Sequence, residues 1–257
     1  MYRGRFAPSP TGPLHFGSLV TAVASYLDAR SNGGEWLVRM EDVDTPRTQA
    51  GAADSILSDL DHFGFQWDGP VMHQSQRIDA YQAALDRLKS AHLVYPCGCS
   101  RKEIEGDRYP GTCANGLSEG KVARSWRVRV SGQLAESVGD FVLLRADGIF
   151  AYQLAVVVDD AAQGITDVVR GMDLLDSTPR QNYLQRLLGF AIPRYRHVPV
   201  VLAPDGQKLS KQTGAAALDL DKASELLWSA LEFLGQRPPQ ELKSASIADI
   251  WSWALTV

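Results

Sequence analysis

Apolar positions change their period many times along the 257-residue chain, and each change marks an expected element. The opening YRGRFAPS reads as a short strand broken by proline. Positions 18–30 carry apolar residues on a wide helical face, which Asn32-Gly33-Gly34 stops. EWLVRME follows as a second strand. Thr45-Pro46 opens a helix near 50–63, with Ile56, Leu57, Leu60 and Phe63 at helical spacing. Another helix fits 75–91, where Ile78, Tyr81, Leu85 and Leu88 form one stripe.

From Tyr95 to about Gly120 the periodicity weakens and cysteine, glycine and charge take over, so this segment reads as an insertion. SWRVRV and FVLLR are expected strands, and Asp147-Gly148 suggests a hairpin turn. AYQLAVVVDDA is apolar and partly β-branched, which suits either a strand or a buried helix. ITDVVRG predicts a strand, STPRQNYLQRLLGF a helix, and HVPVVLAPDGQKLSK a strand and turn. The last forty residues alternate polar and apolar positions as a helical tail. Strands alternating with helices predict an α/β fold with a mostly parallel sheet. The expected domains are a first catalytic half over 1–94, a cysteine-containing insertion over 95–120 within a subdomain reaching about 150, a second half over 151–214, and the tail over 215–257.

Composition narrows the class. With 45% hydrophobic and 22% charged residues, the chain can bury a sizeable core. No basic-then-apolar leader and no long apolar run is present, so the expectation is a soluble, cytoplasmic protein without membrane contact, read as a monomer. A net charge of −4 gives no global sign of nucleic-acid binding, and any RNA contact must use a local patch. Internal repeats and low-complexity tracts are absent from the sequence.

The chemistry begins at RFAPSPTGPLHFGS. A strand ends, prolines stiffen the turn, and a helix begins near Gly17. Helix N-termini present unpaired N–H groups and partial positive charge, which suits phosphate. Gly17 lets a nucleotide approach the backbone, and His15 can donate to a phosphate oxygen. Near the other end, QKLSKQ follows a strand and a Pro-Asp-Gly turn. Lys208 and Lys211, with Ser210 between them, can place two ammonium groups around a triphosphate. Taken singly, each segment is also consistent with an ordinary loop or a solvated lysine pair.

Together, HFGS and KLSK resemble the two signatures of class I aminoacyl-tRNA synthetases. RFAPSPTGPLHFGS, VRMEDVDTPR, FQWDGP and QSQR match the glutamyl-tRNA synthetase group in order and approximate spacing, from Arg3 to about Gly214. Two features depart from that group. Ser18 stands where the usual signature ends in histidine, and only about 45 residues follow KLSK, fewer than an anticodon-binding domain needs. Both are similar to the truncated paralogue family, the glutamyl-Q tRNA(Asp) synthetases. That resemblance implies a Rossmann-like class I catalytic domain with an inserted acceptor-type, zinc-knuckle subdomain and no anticodon-binding domain. It implies ATP-dependent activation of L-glutamate, with Mg²⁺ accompanying ATP, and transfer to queuosine in the anticodon of tRNA(Asp). The competing expectations are a standard synthetase charging a tRNA 3′ end and a non-catalytic RNA-binding paralogue.

Glutamate brings two carboxylates and one ammonium, so its site should offer two cations and one anion. Arg5 and Arg170 are the natural carboxylate partners, Glu41 the ammonium partner, and Ser9 and Tyr152 can add hydroxyl contacts. The resemblance implies the same set, including Ala7 in the segment from Arg5 to Ser9. The alternative is a surface ion pair between Glu41 and Arg170. For ATP, the expected residues are His15, Gly17, Ser18, Lys208, Ser210 and Lys211, with His15, Lys208 and Lys211 acting in catalysis.

All three cysteines fall between positions 97 and 113. An odd count in a cytoplasmic chain argues against disulfides, and close clustering suggests a metal knuckle, most plausibly zinc. Cys97, Cys99 and Cys113 leave a fourth ligand to find, and the resemblance implies Tyr109 of YPGTC. The alternative is three buried, reduced cysteines without metal.

Overall fold

Glu35 donates its backbone N–H to the carbonyl of Tyr2 at 3.1 Å, and that contact starts a parallel ladder between the first two strands. The computed structural model of the protein describes residues 1–104, 108–202 and 216–256. Its elements run β1 (Arg3–Phe6), α1 (Phe16–Ser31), β2 (Glu35–Met40), α2 (Ala52–His62), β3 (Met72–His73), α3 (Ile78–Ser90), β4 (Val94–Cys97), β5 (Ser125–Val128), α4 (Gln133–Ser137), β6 (Phe141–Leu144), α5 (Tyr152–Gln163), β7 (Asp167–Gly171), α6 (Thr178–Leu188), β8 (Arg194–Val198), α7 (Ala223–Phe233) and α8 (Ile247–Ala254). They divide into two units, one over 1–73, 164–175 and 193–257, the other over 74–163 and 176–192.

In the first unit β1 pairs in parallel with β2, and β2 with β3. A second parallel ladder joins β7 to β8. Thr166, just before β7, donates its N–H to the carbonyl of Arg3 at 3.0 Å. That link joins the start of β7 to the start of β1, so both ladders run the same way. Gly34 is required where β2 begins, because a Cβ there would sit 2.5 Å from the Tyr2 carbonyl oxygen.

The core of this unit is aromatic. Trp36 is fully buried, stacks on Phe65 at 5.4 Å and meets Tyr26 edge-on at 5.1 Å. Its indole N–H is satisfied by Ser25 Oγ at 2.9 Å. The expected C-terminal tail is part of this core. Leu227, Leu231 and Ile250 of α7 and α8 are fully buried in it, and Trp251 donates to the Phe63 carbonyl at 2.7 Å.

The second unit contains an antiparallel sheet, β4-β5-β6, and the helices α3, α5 and α6. Pro96 lies in β4, an edge strand, where a missing N–H costs no ladder bond. AYQLAVVVDDA forms the helix α5, and residues 154–160 are all buried, which erased the one-sided pattern that marks most helices. Asp159, fully buried, accepts from Gln74 at 3.0 Å, Arg77 at 2.8 Å and Tyr81 at 2.7 Å. Through these bonds QSQR and α3 belong to the second unit, so the expected boundary at 94 is not where the units part. The strand expected over HVPVV begins earlier, at Arg194, and ends at Val198.

Candidate active site and cysteine cluster

The turn after β1 is held by its backbone. Thr11 donates to the Ser9 carbonyl at 2.8 Å, Gln49 to that of Pro10 at 2.9 Å, and Glu41 to that of Pro8 at 2.9 Å. Glu41, the first residue beyond β2, is thereby tied to the segment carrying Ala7 and Ser9. Arg5 lies inside β1 and is buried, and Arg170 is the fourth of five residues in β7. Within the first unit the C-terminal ends of the parallel strands thus carry Arg5, Ala7, Ser9, Glu41 and Arg170. Open α/β sheets bind ligands at those ends. Tyr152 opens α5 in the second unit. Lys208, Ser210 and Lys211 lie outside the described residues.

The surface ion pair considered for Glu41 and Arg170 does not fit, because Arg170 is only 3% exposed. Its Nε–H donates to His197 Nε2 at 3.2 Å, and its guanidinium lies 4.9 Å from the centre of the Tyr195 ring. Burial first, and then the charge of Arg170, hold the His197 pKa below its ordinary value, with Asp173 opposing. The neutral ring with an unprotonated Nε2 is the form that accepts from Arg170. Glu41 is paired with Arg39, whose Nη2 lies 3.4 Å from Oε1; the Arg39 side chain is fully buried and that of Glu41 is 9% exposed. Asp42 meets His73 Nδ1 at 3.6 Å. Sequence reasoning missed Arg39, Tyr195 and His197. The one available signal was two further polar positions, Tyr195 and His197, alternating on the strand beside ITDVVRG.

His15 is the N-cap of α1, with Nδ1 accepting from the Ser18 N–H at 3.3 Å. The Ser18 N–H also reaches the His15 carbonyl at 2.9 Å. With Nδ1 accepting, the proton of the neutral ring sits on Nε2, at the helix N-terminus that Gly17 and Ser18 form.

The cysteine cluster lies in the second unit. Cys97, Cys99 and Cys113 place their sulfurs within 4.8 Å of one another, with Cys99 and Cys113 at 3.6 Å. Tyr109 Oη lies 3.3 Å from Cys97 Sγ and 3.4 Å from Cys99 Sγ, and accepts from the Cys113 N–H at 3.0 Å. A tetrahedral zinc with Zn–S bonds of about 2.3 Å would separate sulfurs by about 3.8 Å, and sulfur from oxygen by about 3.5 Å. The donor set therefore fits zinc. Burial pushes the Cys97 thiol up, but hydrogen bonds from Tyr109, the Cys99 backbone and Arg127, with the Arg127 charge, bring it down to about 7. Burial and the surrounding thiols push the Tyr109 phenol well above its ordinary range.

Comparison with known proteins adds to this geometry. The family model of class I tRNA synthetases (E and Q), catalytic domain, matches residues 1–127 and 118–241. The Glutamyl-Q tRNA(Asp) synthetase of Dechloromonas aromatica is 61% identical, over 98% of this chain and 92% of that protein. The protein of the same name from Geobacter sulfurreducens is 57% identical, over 98% of this chain and 90% of its own length. Among solved structures, a glutamate tRNA ligase from Elizabethkingia meningosepticum, crystallised with its amino acid, superposes with a TM-score of 0.73 at 28% identity. That match covers 83% of this chain and 52% of the ligase, so the chain spans about half of it. Methionyl-tRNA synthetase from Mycobacterium tuberculosis, at 11% identity and a TM-score of 0.64, shares the fold. Among the described residues no helix is long and apolar enough to cross a membrane.

Proposed function

The chain belongs to the glutamyl-Q tRNA(Asp) synthetase family of class I tRNA synthetases, ligase-type enzymes, and we propose that it activates L-glutamate with ATP in the absence of tRNA, then transfers it to queuosine in the anticodon of tRNA(Asp). One observation carries the reading. Two buried arginines, Arg5 and Arg170, and the carboxylate Glu41 lie at the C-terminal ends of the parallel strands of one unit, beside a helix N-terminus capped by histidine.

Arg5 and Arg170 would face the two substrate carboxylates, and Glu41 the ammonium. Ser9 and Tyr152 would add hydroxyls, with Ala7 in the lining. The α-carboxylate attacks the α-phosphorus of ATP, forming a C(O)–O–P bond as pyrophosphate leaves. His15 Nε2–H and the N-terminus of α1 at Gly17 and Ser18 would hold phosphate oxygens. Lys208, Ser210 and Lys211 would balance charge growing on the pyrophosphate side, so catalysis is positioning plus charge stabilisation. Mg²⁺ would supply further screening of the phosphates. In the second step a hydroxyl of the queuosine cyclopentene diol attacks the activated carbonyl and AMP leaves. Single-stranded loops can splay a base out of the stack, which would present the diol for this attack. Cys97, Cys99, Tyr109 and Cys113 would hold one structural zinc. The family and the absence of a membrane-spanning helix among the described residues support a cytoplasmic location, and we read the enzyme as a monomer.

The testing experiment is glutamate-dependent exchange of labelled pyrophosphate into ATP without tRNA. Exchange supports the reading, and exchange that appears only after tRNA is added overturns the tRNA-independent step.

A further inference from the structure

Arg127, in β5, is 8% exposed, and its side chain reaches the cysteine cluster and the segment that supports it. Its Nε–H donates to Cys97 Sγ at 3.3 Å. The guanidinium carbon stands 3.8 Å from the centre of the Tyr109 ring. Nη1 donates to the Asp140 carbonyl at 3.1 Å. The Asp140 carboxylate accepts from the Val130 N–H at 2.7 Å and the Tyr95 hydroxyl at 2.5 Å, which fixes the segment preceding β6 against β4 and β5. One side chain thus touches the first cysteine and the tyrosine, and is anchored away from the cluster.

A buried cation needs a compensating charge. Without a metal, the partners of Arg127 are a thiol, a phenol ring and a carbonyl. Three thiolates and a neutral phenol around a divalent cation carry a net charge of −1, and the guanidinium cancels it. Resting on the zinc reading above, we infer that Arg127 is the positioning and charge-balancing residue of the knuckle: it holds Cys97 and Tyr109 as a pair of donors and offsets the negative charge of the loaded site. Groups of this kind, one bond out from a metal, typically change affinity by about 10–100-fold. Lysine would not replace it, because an ammonium cannot lie flat over the ring while donating to sulfur.

The test is zinc affinity of the full-length protein, by competition with a chromophoric chelator. Wild type, Arg127→Gln, Arg127→Lys, Tyr109→Phe and the Arg127→Gln/Tyr109→Phe double variant are compared. We expect Arg127→Gln to bind zinc about 10–100-fold more weakly than wild type, with Arg127→Lys between the two. The double variant should be weaker than Tyr109→Phe by less than Arg127→Gln is weaker than wild type, because the arginine acts partly through the tyrosine. A folded Arg127→Gln or Arg127→Lys protein with wild-type zinc affinity overturns the inference. If Arg127→Gln does not fold, Arg127→Lys decides by the same criterion. Additive losses in the double variant overturn the coupling to Tyr109. Wild-type protein that binds no zinc overturns the zinc reading itself, an outcome visible before any variant is measured.

Discussion

Arg170 donates its Nε–H to Nε2 of His197 across the β7–β8 ladder, at 3.2 Å. Register places the two residues directly opposite each other. The bond uses the Nε edge of the guanidinium and so fixes the plane of the group, whose terminal nitrogens form the fork that can grip a carboxylate bidentately. His197→Phe should raise the KM for glutamate by about tenfold or more, the loss expected for a hydrogen bond to a charged group. The KM for ATP should stay unchanged, and His197→Gln, whose amide oxygen can accept, should recover most of the loss. An unchanged glutamate KM in His197→Phe would show that the histidine does not position the arginine.

The same bond gives a pH signature. Burial and the neighbouring Arg170 lower the His197 pKa below its ordinary 6.5, so the unfolded chain binds this proton more readily than the folded one. Its contribution is complete above that value and is lost as pH falls below it. Protonation would also remove the acceptor and set two cations side by side. Glutamate KM should therefore climb as pH falls through the lowered pKa of the folded enzyme, on the acid side of the ordinary histidine range, and His197→Phe should lose this climb. A wild-type KM that is flat down to the onset of unfolding would count against it.

In the second unit, Tyr81 donates to the fully buried Asp159 at 2.7 Å, beside Arg77 and Gln74. Tyr81→Phe removes one donor to a buried carboxylate. It should cost about 1.5–3 kcal/mol, read by chemical denaturation. A loss below about 0.5 kcal/mol would mean that the remaining donors already satisfy the carboxylate.

How much of this was legible in the sequence depends on the range of each interaction. The helix over Phe16–Ser31 and the strand over Glu35–Met40 were legible because their patterns and the Asn32-Gly33-Gly34 stop are local. The pairing of Arg5, Glu41 and Arg170 with glutamate is the proposal made above, and their strand-end placement was legible from the local strand patterns. The partners Arg39 and His197 were not. His197 meets Arg170 only through strand register, and Arg39 alternates with Glu41 on a strand whose end turns. Trp251 reaches Phe63 across 188 positions, so nothing in the local pattern showed that the last helices complete the core. The helix α5 hid because it is buried on every side.

Lys211 carries the electrostatic part of the account, from its place as the second lysine of KLSK. Lys211→Ala should slow adenylate formation by about two to three orders of magnitude while glutamate binding survives. Near-normal pyrophosphate exchange in the variant would remove Lys211 from the mechanism.

The destination of the activated glutamate is the central claim, and labelled glutamate reads it directly. tRNA(Asp) is purified with and without queuosine and incubated with the enzyme, ATP and radioactive glutamate, then cut into fragments. The account predicts label on the queuosine-containing form alone, in the fragment that holds the anticodon. Equal labelling of both forms, or label confined to the 3′-terminal adenosine, would contradict it.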